Sequence, residues 1–199
     1  MTKRSVLRDH AVSAAWGLAE GTVFFIVPDV WISWVATKNT RRSHATTVSA
    51  LAGALAGGVI TYRYSRRKSA QTTRDMLLKQ PAVSRAMINR IEHEMADEGP
   101  KTLMRGPLRG APYKIYARTA GTQDQSLKEF LAWSVPARML RFIVVSTGFS
   151  AVTKAAKKRS PRHGTKIAKA AHLAFWPLFY TWFFKTTGKE DHGPSRIGD

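Results

Sequence analysis

The chain has 199 residues, with 32 Lys and Arg against 13 Asp and Glu, and no Cys. That length limits it to one sizeable domain or a compact bundle, and the missing Cys excludes disulfide frameworks, thiolate metal sites and Cys nucleophiles. A formal charge of +19 suggests a nucleic-acid partner, but the cations fall in bands at 3–8, 38–42, 63–74, 101–118 and 154–169, as apolar spans joined by basic loops would place them. A soluble nucleic-acid-binding domain spreads cations over one face of each element and leaves no long apolar run. The mean hydropathy of −0.25 averages these two populations and hides the spans.

Residues 1–10 read as a basic leader. Residues 11–37 are apolar and long enough to cross a bilayer, for which about 20 residues suffice, yet Glu20, Gly21, Pro28 and Asp29 interrupt them. Pro28 removes a backbone donor and breaks the helix. The stretch is therefore expected to form a re-entrant hairpin with Glu20 and Asp29 turned toward protein or water; a buried pair of soluble helices is the alternative. No cleavable signal peptide fits, because the run carries both acids and lacks a small-residue cleavage site.

Residues 44–62 hold no charge after His44 and read as a transmembrane helix. Gly53 and Gly57 are four apart, with Ala50, Ala54 and Gly58 keeping the neighbouring stripe small, so a second helix can approach closely. Tyr62, Arg63, Tyr64, Arg66 and Arg67 mark its interfacial end. In 82–98, Val83, Met87, Ile91 and Met95 recur every four residues opposite charged positions, which predicts an amphipathic helix that starts after Pro81 and stops at Gly99-Pro100.

Residues 102–121 contain Pro107, Pro112, three Gly and four cations among Leu, Ile and Tyr. The Pro residues forbid a continuous helix, while the apolar side chains demand burial. A second re-entrant segment, lining a cavity, satisfies both; a soluble phosphate-binding loop is the other reading. Residues 126–152 form another span despite Pro136, Arg138 and Arg141. Two Arg within a span need a cavity or a counter-charge, and Glu20 and Asp29, or phosphate headgroups, can supply it. A basic loop at 154–169 leads to a last aromatic-rich span at 167–184, where His172 reads as a packed neutral side chain, and 185–199 reads as a disordered tail.

A broken hairpin followed by a clean span thus occurs twice, the second time entering from the opposite face. That is the arithmetic of an inverted-topology repeat, with its site where the two broken elements meet. The fold expected is an all-α integral membrane protein with two facing re-entrant hairpins.

The segment Gly106-Pro107-Leu108-Arg109-Gly110-Ala111-Pro112-Tyr113-Lys114, with its small-residue exit Ala117 to Gly121, resembles the Gly-Arg-Phe-x-Pro-Gly-x-Arg segment of the DedA family, also called VTT or SNARE-associated Golgi proteins. The acidic, Pro-containing stretch from Glu20 to Asp29 is similar to that family's N-terminal re-entrant loop, and the resemblance covers roughly residues 11–152. It implies a multi-pass protein of the bacterial inner membrane that moves a phospholipid or lipid-linked phosphate, in some bacterial members with proton coupling. Carried across by position, Arg109 stands near the family's first Arg and Lys114, a Lys in place of Arg, near its second.

A lipid phosphate crossing hydrocarbon needs cations to replace its hydration and carboxylates to hold those cations when the site is empty. Arg109, Lys114 and Arg118 are the expected headgroup ligands, with Arg138 and Arg141 behind them. Glu20 and Asp29 serve as counter-charges or proton carriers, and Pro28, Pro107, Gly110 and Pro112 shape the breaks. No metal site, cofactor or hydrolytic constellation stands out, so no enzyme is expected. Membrane lipids with anionic headgroups are the expected partners, nucleic acid is not, and a homo-oligomer is left open. A small-solute or ion transporter of the same architecture is the second reading; a soluble basic nucleic-acid-binding protein is the third.

Overall fold

The helix at the centre of the molecule is the one whose sequence has the smallest side chains. The computed structural model describes residues 3–81 and 83–190, and among these every regular element is helical. In chain order they are α1 (Lys3–Thr22), α2 (Asp29–Ala36), α3 (Thr40–Arg66), α4 (Ala70–Leu78), α5 (Arg85–Glu98), a 3-10 segment (Gly99–Arg105), α6 (Gly106–Arg109), α7 (Tyr113–Thr122), α8 (Leu127–Arg159) and α9 (Gly164–Glu190). Helix α3 packs against α1, α2, α7 and α8. Among the described residues two helices, α3 and α8, are long and apolar enough to cross a membrane. Helix α9, which contains the predicted span 167–184, is not one of them.

The α1–α3 interface is backbone on backbone. A Cβ added to Gly53 would lie 1.9 Å from the Ala14 carbonyl oxygen, and one on Gly17 would lie 2.2 Å from that of Ala50. Gly17 and Gly21 on α1 thus answer Gly53 and Gly57 on α3, and the helices approach as closely as small residues allow. Helix starts are capped where the sequence offers a short polar side chain: Asn39, Ser69, Ser84 and Ser126 each accept a hydrogen bond from the backbone three residues on, satisfying donors that a helix start leaves open.

Two breaks interrupt the helical path. Between α1 and α2 the chain turns at residues 23–28, and Pro28 stands at the head of α2. The exposed backbone of this turn finds side-chain partners. Trp16 Nε1 donates to the Ile26 carbonyl at 2.9 Å, and the Val27 amide donates to the Tyr180 hydroxyl at 2.9 Å. Between α6 and α7, Gly110 takes a left-handed conformation (φ 66°) and Pro112 precedes the first residue of α7. Gly, with no Cβ, adopts that φ at no steric cost.

The main apolar core lies where α5, the 3-10 segment, α7 and the start of α8 meet, around Ile88, Ile91, Met95, Ile115, Tyr116 and Phe130. The stripe predicted on 82–98 is the stripe buried: Met87, Ile91 and Met95 are all inside. A smaller cluster joins Ile32, Ala50 and Phe142. By contrast, Val144 and Leu140 on α8 and Leu173, Leu178 and Trp182 on α9 are exposed.

Several predicted boundaries need correction. The loop expected at 154–169 is reduced to 160–163, because α8 runs on to Arg159 and α9 starts at Gly164. Residues 3–10, expected as a leader, are the first turns of α1, because nothing in them breaks a helix and Arg42 meets the buried Asp9 carboxylate at 2.9 Å. Residues 185–190 continue α9, while 191–199, the rest of the expected tail, lie outside the described residues. In 11–37 the helix runs on to Thr22, so Glu20 and Gly21 do not interrupt it and the turn waits for 23–28. An ion-paired Glu in a helix costs the backbone nothing, whereas Pro28 cannot continue one.

Candidate functional site

Burying a charge requires a partner, and the charges set within apolar stretches identify where the partners are. Arg138, on α8, donates to Glu20, on α1, at 2.6 Å, with both side chains almost wholly buried (4% and 2% exposed). One helical turn further along α8, Arg141 stands 2.9 Å from Asp29, the first residue of α2. Both guanidiniums lie near aromatic faces: Arg138 is 4.3 Å from the centre of the Tyr113 ring, and Arg141 is 5.4 Å from that of Phe142. Residues three apart on a helix share one face, so α8 presents two cations to two acids held at the end of α1 and the start of α2.

The second pair is incompletely satisfied. Its atoms are close but poorly aligned, and Nε and Nη2 of Arg141 and both oxygens of Asp29 lack a hydrogen-bond partner although they are buried. Asp29 and Arg141 belong to the residues that line a cavity of about 500 Å³. The same wall carries Glu20 and Lys114. Lys114 Nζ donates to the Phe24 carbonyl at 2.9 Å and also to Gln80, so the cation of one break holds the backbone of the other. Pro107, Gly110 and Pro112 form part of the lining. The rest is apolar: Phe24 and Phe25 from the first break, Val145, Gly148 and Phe149 from α8, and Phe175, Trp176 and Phe179 from α9. A Cβ on Gly148 would meet nothing within 4 Å.

Not every predicted residue reaches this cavity. Glu20, Asp29, Lys114 and Arg141 line it, and Arg138 stands behind Glu20. Pro28 heads α2 beside it. Arg109 is half-exposed and pairs with Glu94 of α5. Arg118 is buried, but away from the cavity; it pairs with Glu92, donates to Thr73 at 2.9 Å and reaches the Ala70 carbonyl. Arg74 joins the same Glu92. These contacts fasten α4 and α5 onto α7. On the same outer part of the molecule, two hydrogen bonds from Arg105 hold the Glu98 carboxyl below its ordinary range.

Sequence reasoning missed Tyr180, which lines the cavity, and Gln80, the side-chain partner of Lys114. An aromatic in an aromatic-rich helix and an amide in a polar connection carry no local signal. Gly148 was visible as a Gly inside an apolar run, but only the structure shows that its missing side chain leaves room. Among the described residues no group of His, Asp and Glu is arranged to hold a metal ion. No family model, no curated protein and no solved structure matches this chain.

Proposed function

We propose that this chain is a multi-pass membrane protein that carries a phospholipid or lipid-linked phosphate across the bilayer through the cavity between its two breaks, on the DedA-like plan of two facing re-entrant hairpins in an inverted repeat. The observation that carries the reading is the Arg141–Asp29 pair, buried and short of hydrogen bonds on the wall of a largely apolar cavity. A guanidinium with unused donors is matched by a phosphate, which accepts two of them at once. The apolar remainder suits acyl chains. Irregular backbone at bilayer depth is tolerated where it lines a cavity, and both breaks do so.

The ends of the broken segments support the hairpin arrangement. Arg42, near the start of α3, reaches Asp9 and Ser5 of α1, so the first segment begins and ends beside the N-terminus of α3. Arg66, at the other end of α3, pairs with Asp124 at 2.7 Å just after α7, and Gln125 donates to the Met95 carbonyl of α5. The second segment therefore begins and ends beside the C-terminus of α3. The exposed apolar side chains of α8 and α9 would face lipid.

Passage of a headgroup-labelled phospholipid in reconstituted vesicles tests the proposal. Arg141→Gln is expected to slow passage about tenfold or more, since losing a hydrogen bond to a charged group costs roughly 1.5–3 kcal/mol. Gly148→Leu should fold normally, because space is open there, and should also block passage by filling the cavity. Wild-type rates in both variants would sink the reading.

A further inference from the structure

We infer that the cavity sorts its occupants by charge, taking a lipid phosphodiester with one net negative charge in preference to a zwitterionic lipid or a pyrophosphate lipid. This rests on the proposed function and narrows its substrate. The argument is a count of the buried charges. Glu20 is matched by Arg138 and Asp29 by Arg141. Lys114 has no carboxylate among the described residues within ion-pairing distance; its ammonium is held by two neutral oxygens, the Phe24 carbonyl and the Gln80 side chain. Counting Arg138 behind the wall, two acids against three cations leave one uncancelled positive charge, that of Lys114.

In a cavity lined mostly by aromatic and aliphatic side chains an uncompensated charge is costly. One phosphodiester cancels it. A zwitterionic headgroup brings the same phosphate together with a second cation, which restores the surplus or must compete with Arg141 for Asp29. A pyrophosphate overshoots in the other direction. The donors suit the smaller anion: Arg141 Nε and Nη2 are buried without a well-formed hydrogen bond, although Nη2 lies 2.9 Å from Asp29, Lys114 has three protons and two acceptors, and the Tyr180 hydroxyl accepts from Val27, leaving its own proton to donate.

The test is binding to the full-length protein in detergent, read by the fluorescence of Trp176 and its neighbours. The probes are short-chain phosphatidylglycerol, phosphatidylcholine, diacylglycerol pyrophosphate and inorganic phosphate. Phosphatidylglycerol is expected to bind about tenfold or more tighter than either of the other lipids. Equal affinities, or a preference for phosphatidylcholine or the pyrophosphate, overturn the inference. Inorganic phosphate binding as tightly as phosphatidylglycerol overturns it too, by making the ligand a free anion.

Lys114→Gln, which leaves the wall neutral, should reduce the advantage of phosphatidylglycerol over phosphatidylcholine to within about twofold, and Lys114→Arg should keep it. A folded Lys114→Gln protein with the full advantage contradicts the count. Should that variant fail to fold, the wild-type series decides alone. Lipid passage in vesicles separates this inference from the function beneath it. Selective binding without passage defeats transport and leaves the charge rule; passage at one rate for every lipid does the reverse.

Discussion

Arg138→Ala is expected to cost about 3–5 kcal/mol of stability, because it strands the Glu20 carboxylate in a buried site. For a chain of this length that is a fall of roughly 10 °C in melting temperature, measurable by thermal unfolding in detergent. The Glu20→Leu/Arg138→Leu double variant should recover most of the loss, since replacing both members of a buried pair with apolar side chains of similar bulk is often neutral or better. Recovery will be incomplete to the extent that Tyr113 and Phe142 lose the cation over their rings. Under the proposed function the double variant stays inactive in lipid passage even though it melts near the wild type. An Arg138→Ala protein that melts with the wild type would show that Glu20 is not held by this pair.

Gly53→Val should be more damaging still. The added side chain meets the Ala14 carbonyl oxygen at 1.9 Å and its carbonyl carbon at 2.7 Å. Both obstacles are backbone, so no rotamer change relieves the clash and α1 must move away from α3. Overpacking in a core costs about 1–3 kcal/mol, and this site should exceed that, because parting the helices also loosens the contacts at Gly17, Gly21 and Gly57. The expected result is little or no folded protein on size-exclusion chromatography. The matching control is Gly148→Ala, the same kind of change on a helix where the new Cβ meets nothing. It should melt at or slightly above the wild type, since Ala is favoured over Gly within a helix by about 1 kcal/mol.

The parts of the molecule that were legible beforehand are those where a residue type conflicts with its surroundings. Glu20, Asp29, Arg138 and Arg141 interrupt apolar stretches, and such charges need one another. Which acid meets which Arg depends on how deep each helix sits, and no linear spacing records depth. The small stripe on α3 announced a close neighbour, but naming α1 required seeing Gly17 and Gly21 on the facing side. Arg109 and Arg118 were assigned to a headgroup because they lie in a cation-bearing break. Their acids, Glu94 and Glu92, lie among the charged positions of α5, but the amphipathic pattern does not say what that side meets, and it is the side that receives these two Arg. The continuation of α1 back to Lys3 was hidden similarly, since Asp9 reads as one more leader charge until Arg42 is brought beside it.

Helix α9 closes one side of the cavity through three single hydrogen bonds spaced four residues apart. His172 Nε2 donates to the Val30 carbonyl at 3.0 Å, Trp176 Nε1 donates to the Ser33 hydroxyl at 3.0 Å, and Tyr180 accepts from Val27 at 2.9 Å. Such a series behaves like a key with three teeth. A slip of one residue turns an α-helix by about 100° and would withdraw all three at once, so no intermediate seating keeps some of them. The choice of which aromatic face of α9 is turned inward is therefore all-or-none.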